Sequence, residues 1–368
     1  MKINDPVNPF TSFAEQIAAS LRALYGTFGY EPYKMSKFEE YDLYARNKEF
    51  LISDSIITFT DTDGRLMALK PDVTLSIIKN ADVSIRRATK LFYSENVYRV
   101  SGGSGRSDTH SGGGMFREIM QTGLECIGKI DTYCLAEVLY LAAKSLDTVN
   151  GEYVLDIGQL DLLFKAVDAL SDDPVVQAEL LKCAEGKNVH EIMRIAAASG
   201  ADEASAGLLA SLVELYGRPC DTLGTVKCAA EKLGMTEEYS RFEKVLRALE
   251  STDAADNIRV DFSIVSDRNY YNGIAFKGYV EGVPERVLSG GQYDRLMDKL
   301  SKKGGAIGFA VYMDTLERLG GGVSERAKAQ ADIIKYSADD EPGKVLAAMI
   351  ERASMGQARA RAEAADND

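Results

Sequence analysis

Apolar positions Phe13, Ile17, Leu21 and Leu24 recur three and four residues apart, which predicts an amphipathic helix from Phe10 to Tyr25 with Thr11 or Ser12 as its cap. GYEPYKMSKFEEYDLY then reads as an extended segment entering a loop. TFTDTDGRLMALKPDVT reads as a hairpin that turns at Asp63-Gly64, a pair suited to left-handed backbone. After Lys70-Pro71, Asp72 and Thr74 open a helix that runs through Leu75 and Ile78. LFYSENVYRV and FREIMQTGLECIG alternate with the two-residue period of strands and are joined by the glycine-serine stretch SGGSGRSDTHSGGGM. A helix from about Asp131 to Ser145 follows.

From about Gly158 to Glu250 the pattern is helical throughout, with no strand-like alternation, as in LDLLFKAVDAL and SRFEKVLRALE. Strand character resumes in NIRVDFSIV, YYNGIAFKGYV and RVLSGGQYDRL, with a turn at Glu281 to Pro284, and GGAIGFAVYM leads a strand into a helix. The remainder supplies one strand, one helix and a polar end, too little for a core of its own. The chain thus divides into a first core part at 1–157, an all-helical insertion at 158–252, a second core part at 253–325 and a strand-helix extension at 326–368. The expected class is α+β, an antiparallel sheet flanked by helices.

Candidate chemistry lies on the long hairpin. Tyr93, Glu95, Val97 and Arg99 share one face, as do Arg117, Ile119, Gln121, Gly123 and Glu125. Gly123, set between an amide and a carboxylate, clears space above the strand for a small ligand. Arg99 suits an anion, and Gln121 and Glu125 a cation or an imidazole, so a zwitterion such as an amino acid fits the set. A polar, solvated sheet face is the competing reading. Asp72 and Thr74 likewise suit either a helix cap or an ammonium holder.

Charge and composition narrow the field. A net charge of −13 argues against a broad nucleic-acid surface. The two histidines, His110 in the loop and His190 in a helix, leave little material for a histidine metal site or a serine triad, and suit surface or packing roles. Five cysteines without a Cys-x-x-Cys pair argue against a disulfide framework or zinc ribbon and for buried reduced thiols. No apolar run has the length of a membrane span and the N-terminus has no signal pattern, so the cytoplasm is the expected location. Gly102-Gly103 and Gly112 to Gly114 lack the phosphate-loop spacing.

In this order the motifs resemble the catalytic core of class II aminoacyl-tRNA synthetases, histidyl-tRNA synthetase in particular, over roughly residues 8–320. LKPDVT is similar to the family's ammonium-holding element, with Asp72 and Thr74 at the matching positions. VYRV and FREIMQTGLECIG resemble motif 2, with Arg99 at the arginine position and Gln121 and Glu125 at the histidine-reading ones. NYYNGIAF resembles the segment whose tyrosines, here Tyr270 and Tyr271, wall the imidazole. LSGGQYDRL and AIGFAVYM resemble motif 3.

The departures fall on nucleotide chemistry. Ser266 stands where the family has an activating arginine, and Asn269 where it has an aspartate. Asp314-Thr315 replaces the Glu-Arg of motif 3, with Arg318 one helical step on. The hairpin loop lacks the ATP-gripping His-Glu-Arg-Pro sequence, and Ser36 replaces the proline of motif 1. Adenylate transfer needs such positioned cations, so their loss should disable it. The short C-terminal extension offers no platform for an anticodon.

Both the retained and the missing parts are similar to the ATP phosphoribosyltransferase regulatory subunit family of histidine biosynthesis. That resemblance implies a chain with no catalysis or cofactor of its own, which activates a short-form catalytic ATP phosphoribosyltransferase subunit and makes it sensitive to histidine. It implies L-histidine bound by Asp72, Thr74, Arg99, Gln121, Glu125, Tyr270 and Tyr271, and a homodimer within a hetero-oligomer, formed through the first helix and following strand. A membrane is not implied as a partner, nor is tRNA. The alternative is a divergent histidyl-tRNA synthetase or a stand-alone amino-acid-activating enzyme.

Overall fold

The first helix begins at a reciprocal cap: Ser12 Oγ accepts from the Glu15 N–H at 3.2 Å, and the Ser12 N–H donates to the Glu15 carboxylate at 2.8 Å. The computed structural model describes residues 12–47, 56–83, 86–100, 116–265, 268, 270–316, 319, 333–336 and 359–362. The chain runs α1 (Phe13–Thr27), β1 (Glu31–Pro32), β2 (Phe38–Glu40), α2 (Tyr41–Ala45), β3 (Thr58–Thr60), β4 (Leu66–Leu69) and α3 (Thr74–Asn80). The long hairpin is β5 (Ala88–Val100) and β6 (Phe116–Gly128), followed by α4 (Thr132–Val149) and β7 (Tyr153–Gln159). Next come α5 (Leu160–Asp168), α6 (Pro174–Glu185), α7 (Val189–Ala198), α8 (Glu203–Glu214), β8 (Tyr216–Gly217), α9 (Pro219–Leu233) and α10 (Thr236–Glu250). The chain then forms β9 (Ile258–Asp261), β10 (Asn272–Val280), β11 (Leu288–Gln292), α11 (Asp294–Lys299), β12 (Gly305–Tyr312) and α12 (Met313–Leu316).

Nine strands form one sheet in the order β1-β5-β6-β12-β11-β10-β7-β9-β8. The expected sheet was antiparallel, and most pairs are, but β1 lies parallel to β5 and β7 parallel to β9. Parallel neighbours need a long crossover, and the helical run α5 to α10 supplies one between β7 and β9. That run is not wholly helical: β8 interrupts it and pairs with β9, a two-residue strand too short to show any period.

β7 and β11 are buried along almost their whole length because helices cover one face and the site region the other. Glycines make this closeness possible. A side chain at Gly290 would strike Phe276 and Phe309, and one at Gly291 would meet the Tyr271 ring at 2.6 Å. Helix α1 buries Leu21 and Tyr25, and the Tyr25 hydroxyl meets Ser145 of α4 at 2.9 Å. α4 is capped by Asp131, whose carboxylate accepts from the Cys134 N–H at 2.9 Å. Asp131→Ala should therefore cost about 1 kcal/mol. Urea unfolding checks this: the midpoint should fall while the slope stays unchanged.

A separate three-stranded sheet, β2-β4-β3, carries the expected Asp63-Gly64 turn, with Gly64 at φ +85°. β13 (Ile333–Tyr336) and β14 (Arg359–Ala362) pair in parallel and belong to a unit distinct from that of residues 17–316. β14 corrects the expected ragged polar end: its alternating Arg-Ala sequence has no apolar run to betray a strand. The helix expected between these strands lies outside the described residues. The thiols also differ from expectation, for only Cys126 and Cys134 are buried, while Cys183 is half-buried and Cys220 and Cys228 are exposed. Cys220 and Cys228 sit eight apart on α9, off its buried stripe. His190 is exposed near the start of α7.

Among the described residues no helix is long and apolar enough to cross a membrane.

Candidate functional site

The register of the long hairpin puts Tyr93 opposite Gly123, Glu95 opposite Gln121 and Leu91 opposite Glu125. Directly opposed residues share a face, so Tyr93, Gln121 and Glu125 converge on the same side of the sheet. There they border a cleft of about 360 Å³, open solvent included. α3 and the two residues before it bring Thr74 and Asp72 to its edge, and the segment before β10 brings Tyr270 and Tyr271. Of the predicted site residues, only Arg99 does not line it.

Glu125 lies at the floor, 1% exposed. One carboxyl oxygen accepts from the Thr74 hydroxyl at 2.8 Å, and the other is bonded to the Tyr293 hydroxyl. Burial pushes the carboxyl up to about 8; the two hydroxyls pull it down, and the neighbouring Asp72 adds to the rise. Glu125 thus keeps its proton at neutral pH. β12 leaves room for it, since a side chain at Gly308 would occupy the carboxylate's own position.

Of the two roles that the sequence left open, Asp72 takes the capping one, and both Asp72 and Thr74 border the cleft. Asp72 Oδ1 accepts from the Leu75 N–H at 2.9 Å, as a cap does, while the residue still borders the cleft. Its pKa is raised by burial, against the Leu75 N–H and Arg99, which lower it. Gln121 is 3% exposed and its amide makes no hydrogen bond among the described residues. A primary amide at the cleft wall without a protein partner is free to bond a polar molecule there.

Arg99 is held behind Asp72. Its Nε donates to the Pro71 carbonyl at 3.2 Å, and one buried terminal nitrogen has no partner among the described residues. Lys70, fully buried nearby, pairs with Glu95 at 3.0 Å. Tyr270 and Tyr271 stack edge to face, ring centroids 4.5 Å apart, and form one wall.

Gly123 does not play its expected part. The Tyr93 phenol and the Phe309 carbonyl fill the space above it, within 2.7 Å of where a β-carbon would stand for the phenol oxygen. The glycine admits a protein ring, and the open space lies farther along the face. Sequence reasoning also missed Tyr293 and Gly308. The signal was available, because the glycine of IGFAV has to face something, but pairing β12 with β6 required the register.

Two other arginines on these segments are already engaged. Arg117 pairs with Asp314, in the motif 3 position, at 3.2 Å. Arg268, two residues before Tyr270, forms a two-pronged pair with Asp168 at 2.8 Å and lies over the Phe164 ring at 4.8 Å. Ser36 Oγ, in the motif 1 position, accepts from the Phe38 N–H at 3.1 Å. Ser266, Asn269, Arg318 and the loop at 101–115 with His110 lie outside the described residues. Among the described residues, no group of His, Cys, Asp and Glu side chains could hold a metal ion.

A large sheet with a cleft on one face, floored by the motif 2 strand β6 and bordered by the motif 3 strand β12, defines a class II aminoacyl-tRNA synthetase-like α+β fold. Residues 2–316 match the family described as histidyl-tRNA synthetase, and the chain belongs to that family. It is 28% identical to the ATP phosphoribosyltransferase regulatory subunit of Clostridium kluyveri over 305 residues, 81% of this chain and 76% of that one. In fold it is similar to an ATP phosphoribosyltransferase regulatory subunit/histidyl-tRNA synthetase from Bacillus halodurans, with TM-score 0.76 and 20% identity over 100% of this chain and 95% of the other. It is also similar to a chain of the ATP phosphoribosyl transferase (HisG:HisZ) complex from Thermotoga maritima, with TM-score 0.58 and 17% identity over 82% of this chain and 97% of that one.

Proposed function

We propose that this chain is a non-catalytic regulatory subunit of ATP phosphoribosyltransferase, which activates a short catalytic partner and holds free L-histidine in the cleft. The observation that carries the reading is Glu125: a carboxyl buried at the floor of the cleft and pushed up to about 8 by that burial, so that it can share a proton with an imidazole. Tyr270 and Tyr271 wall the ring, and Asp72, Thr74 and Gln121 receive the ammonium; Arg99, which lies outside the cleft lining with a buried unpartnered nitrogen, receives the carboxylate only if the wall at Asp72 opens. The names carried by the relatives support the same assignment. The working unit is a homodimer within a hetero-oligomer, and the net charge of −13 speaks against tRNA as a partner.

Histidine inhibits only insofar as it binds one state of the assembly better than another. The test is co-purification with a short-form ATP phosphoribosyltransferase, followed by assays with and without histidine. The partner's activity should require this chain and fall as histidine is added. Histidine-dependent exchange of pyrophosphate into ATP by the chain alone would overturn the reading in favour of an amino-acid-activating enzyme, which the family match supports.

A further inference from the structure

A second cleft, of about 350 Å³ with open solvent included, lies between α10 and the ends of β7, β10 and β11, and shares no lining residue with the first. Two glutamines, Gln159 and Gln292, stand in it at 4% and 6% exposure. Gln159 Oε1 accepts from the Asp161 N–H at 3.0 Å and Gln292 Oε1 from the Ile274 N–H at 2.9 Å. A backbone N–H must face an acceptor, so these contacts settle which end of each amide is oxygen. The two NH2 groups are therefore directed elsewhere, and neither has a hydrogen-bond partner among the described residues.

Of the four charged residues that line the cleft, Asp294 is engaged, its carboxylate accepting from the Ala306 N–H at 2.8 Å and the Asn272 amide at 3.2 Å, and the other three keep open positions. Glu238 and Arg241 stand three apart on α10, where opposite charges commonly pair, and both line the cleft. Neither forms an ion pair among the described residues. Asp161 Oδ2 accepts from the Gly273 N–H at 3.0 Å, and its other oxygen has no partner among the described residues. Phe242 and Ile274 supply an apolar wall.

We infer that this cleft is a second binding site, for a small zwitterion with an ammonium and a carboxylate on one short frame, such as a free α-amino acid. The Gln159 and Gln292 amides with the Arg241 guanidinium receive the carboxylate, and Asp161 with Glu238 receives the ammonium. Simple anions and simple amines each engage only half of the set.

The experiment titrates the proteinogenic L-amino acids one at a time against the full chain carrying Glu125→Gln, which removes the ionisable floor of the first cleft. Binding is read by calorimetry and thermal shift. At least one amino acid should bind one to one, and neither its N-acetyl nor its carboxamide form should compete. Arg241→Met and Glu238→Gln, both at solvent-accessible positions, should each weaken binding by roughly tenfold or more, as the loss of a charged hydrogen bond does. The proposal fails if no amino acid binds the Glu125→Gln chain, or if Arg241→Met leaves the affinity unchanged. The histidine reading of the first cleft fails on a different result, equal histidine binding by wild type and Glu125→Ala.

Discussion

Gly308→Ala is expected to cost about 3 kcal/mol of stability and to abolish histidine binding. The added carbon would stand where the Glu125 carboxylate is, and it would also meet the Leu124 carbonyl at 2.5 Å. Rotating Glu125 away relieves only the first clash, because the second is with backbone. β12 would have to move off β6, and Gly308 and Glu125 are direct register partners, so the floor of the cleft would be lost with it. Gly207→Ala is the control. Nothing lies within 4 Å of a carbon added there, in the interior of α8, and helix propensity makes that change neutral or stabilising by up to about 1 kcal/mol. Thermal unfolding and histidine calorimetry on both variants check the pair of expectations. Retention of wild-type stability by Gly308→Ala would show that Glu125 does not need this space.

Much of this site was legible in the sequence because it is built on strand periodicity. Gln121 and Glu125 share a face in any strand, and Asp72 and Thr74 open a helix wherever it packs. What joins them is register. The pairing of β12 with β6, which spans well over a hundred residues of chain, sets Gly308 against Glu125, and the hydroxyl of Tyr293, just past β11, closes on the same carboxyl. Local pattern carries no information about them. Gly123 shows the same limit from the other side: its lack of a side chain was plain, but Tyr93, not a ligand, fills the space. The parallel β7–β9 pair escaped for a related reason, since strand direction depends on where the intervening helices return the chain.

Histidine binding should peak between about pH 6.5 and pH 8, and Glu125 should set the upper limit. The free Glu125 carboxyl titrates at about 8 and a free imidazole at about 6.5. Between these values the carboxyl carries a proton and the ligand does not, so a bonded pair needs neither uptake nor release. Above pH 8 both partners are unprotonated and binding must take up a proton, so affinity falls by about tenfold per pH unit. Below pH 6.5 both arrive protonated and one proton must leave. Calorimetry in buffers of different ionisation enthalpy reads these protons directly. Stability follows the same group with a definite sign. Its carboxyl is raised in the folded chain from 4.5 to about 8, so the folded state holds the proton that the unfolded state gives up. The stability associated with this group is complete below about pH 4.5 and declines as pH rises, by roughly 5 kcal/mol at most, until it levels off above pH 8. Glu125→Gln keeps the shape and can still bond the Thr74 and Tyr293 hydroxyls, but it has no proton to lose. The variant should therefore bind histidine more weakly, show no decline in binding above pH 8, and gain stability over wild type at pH 9 relative to pH 5. Identical pH profiles for the two proteins would remove Glu125 from the floor of the histidine site.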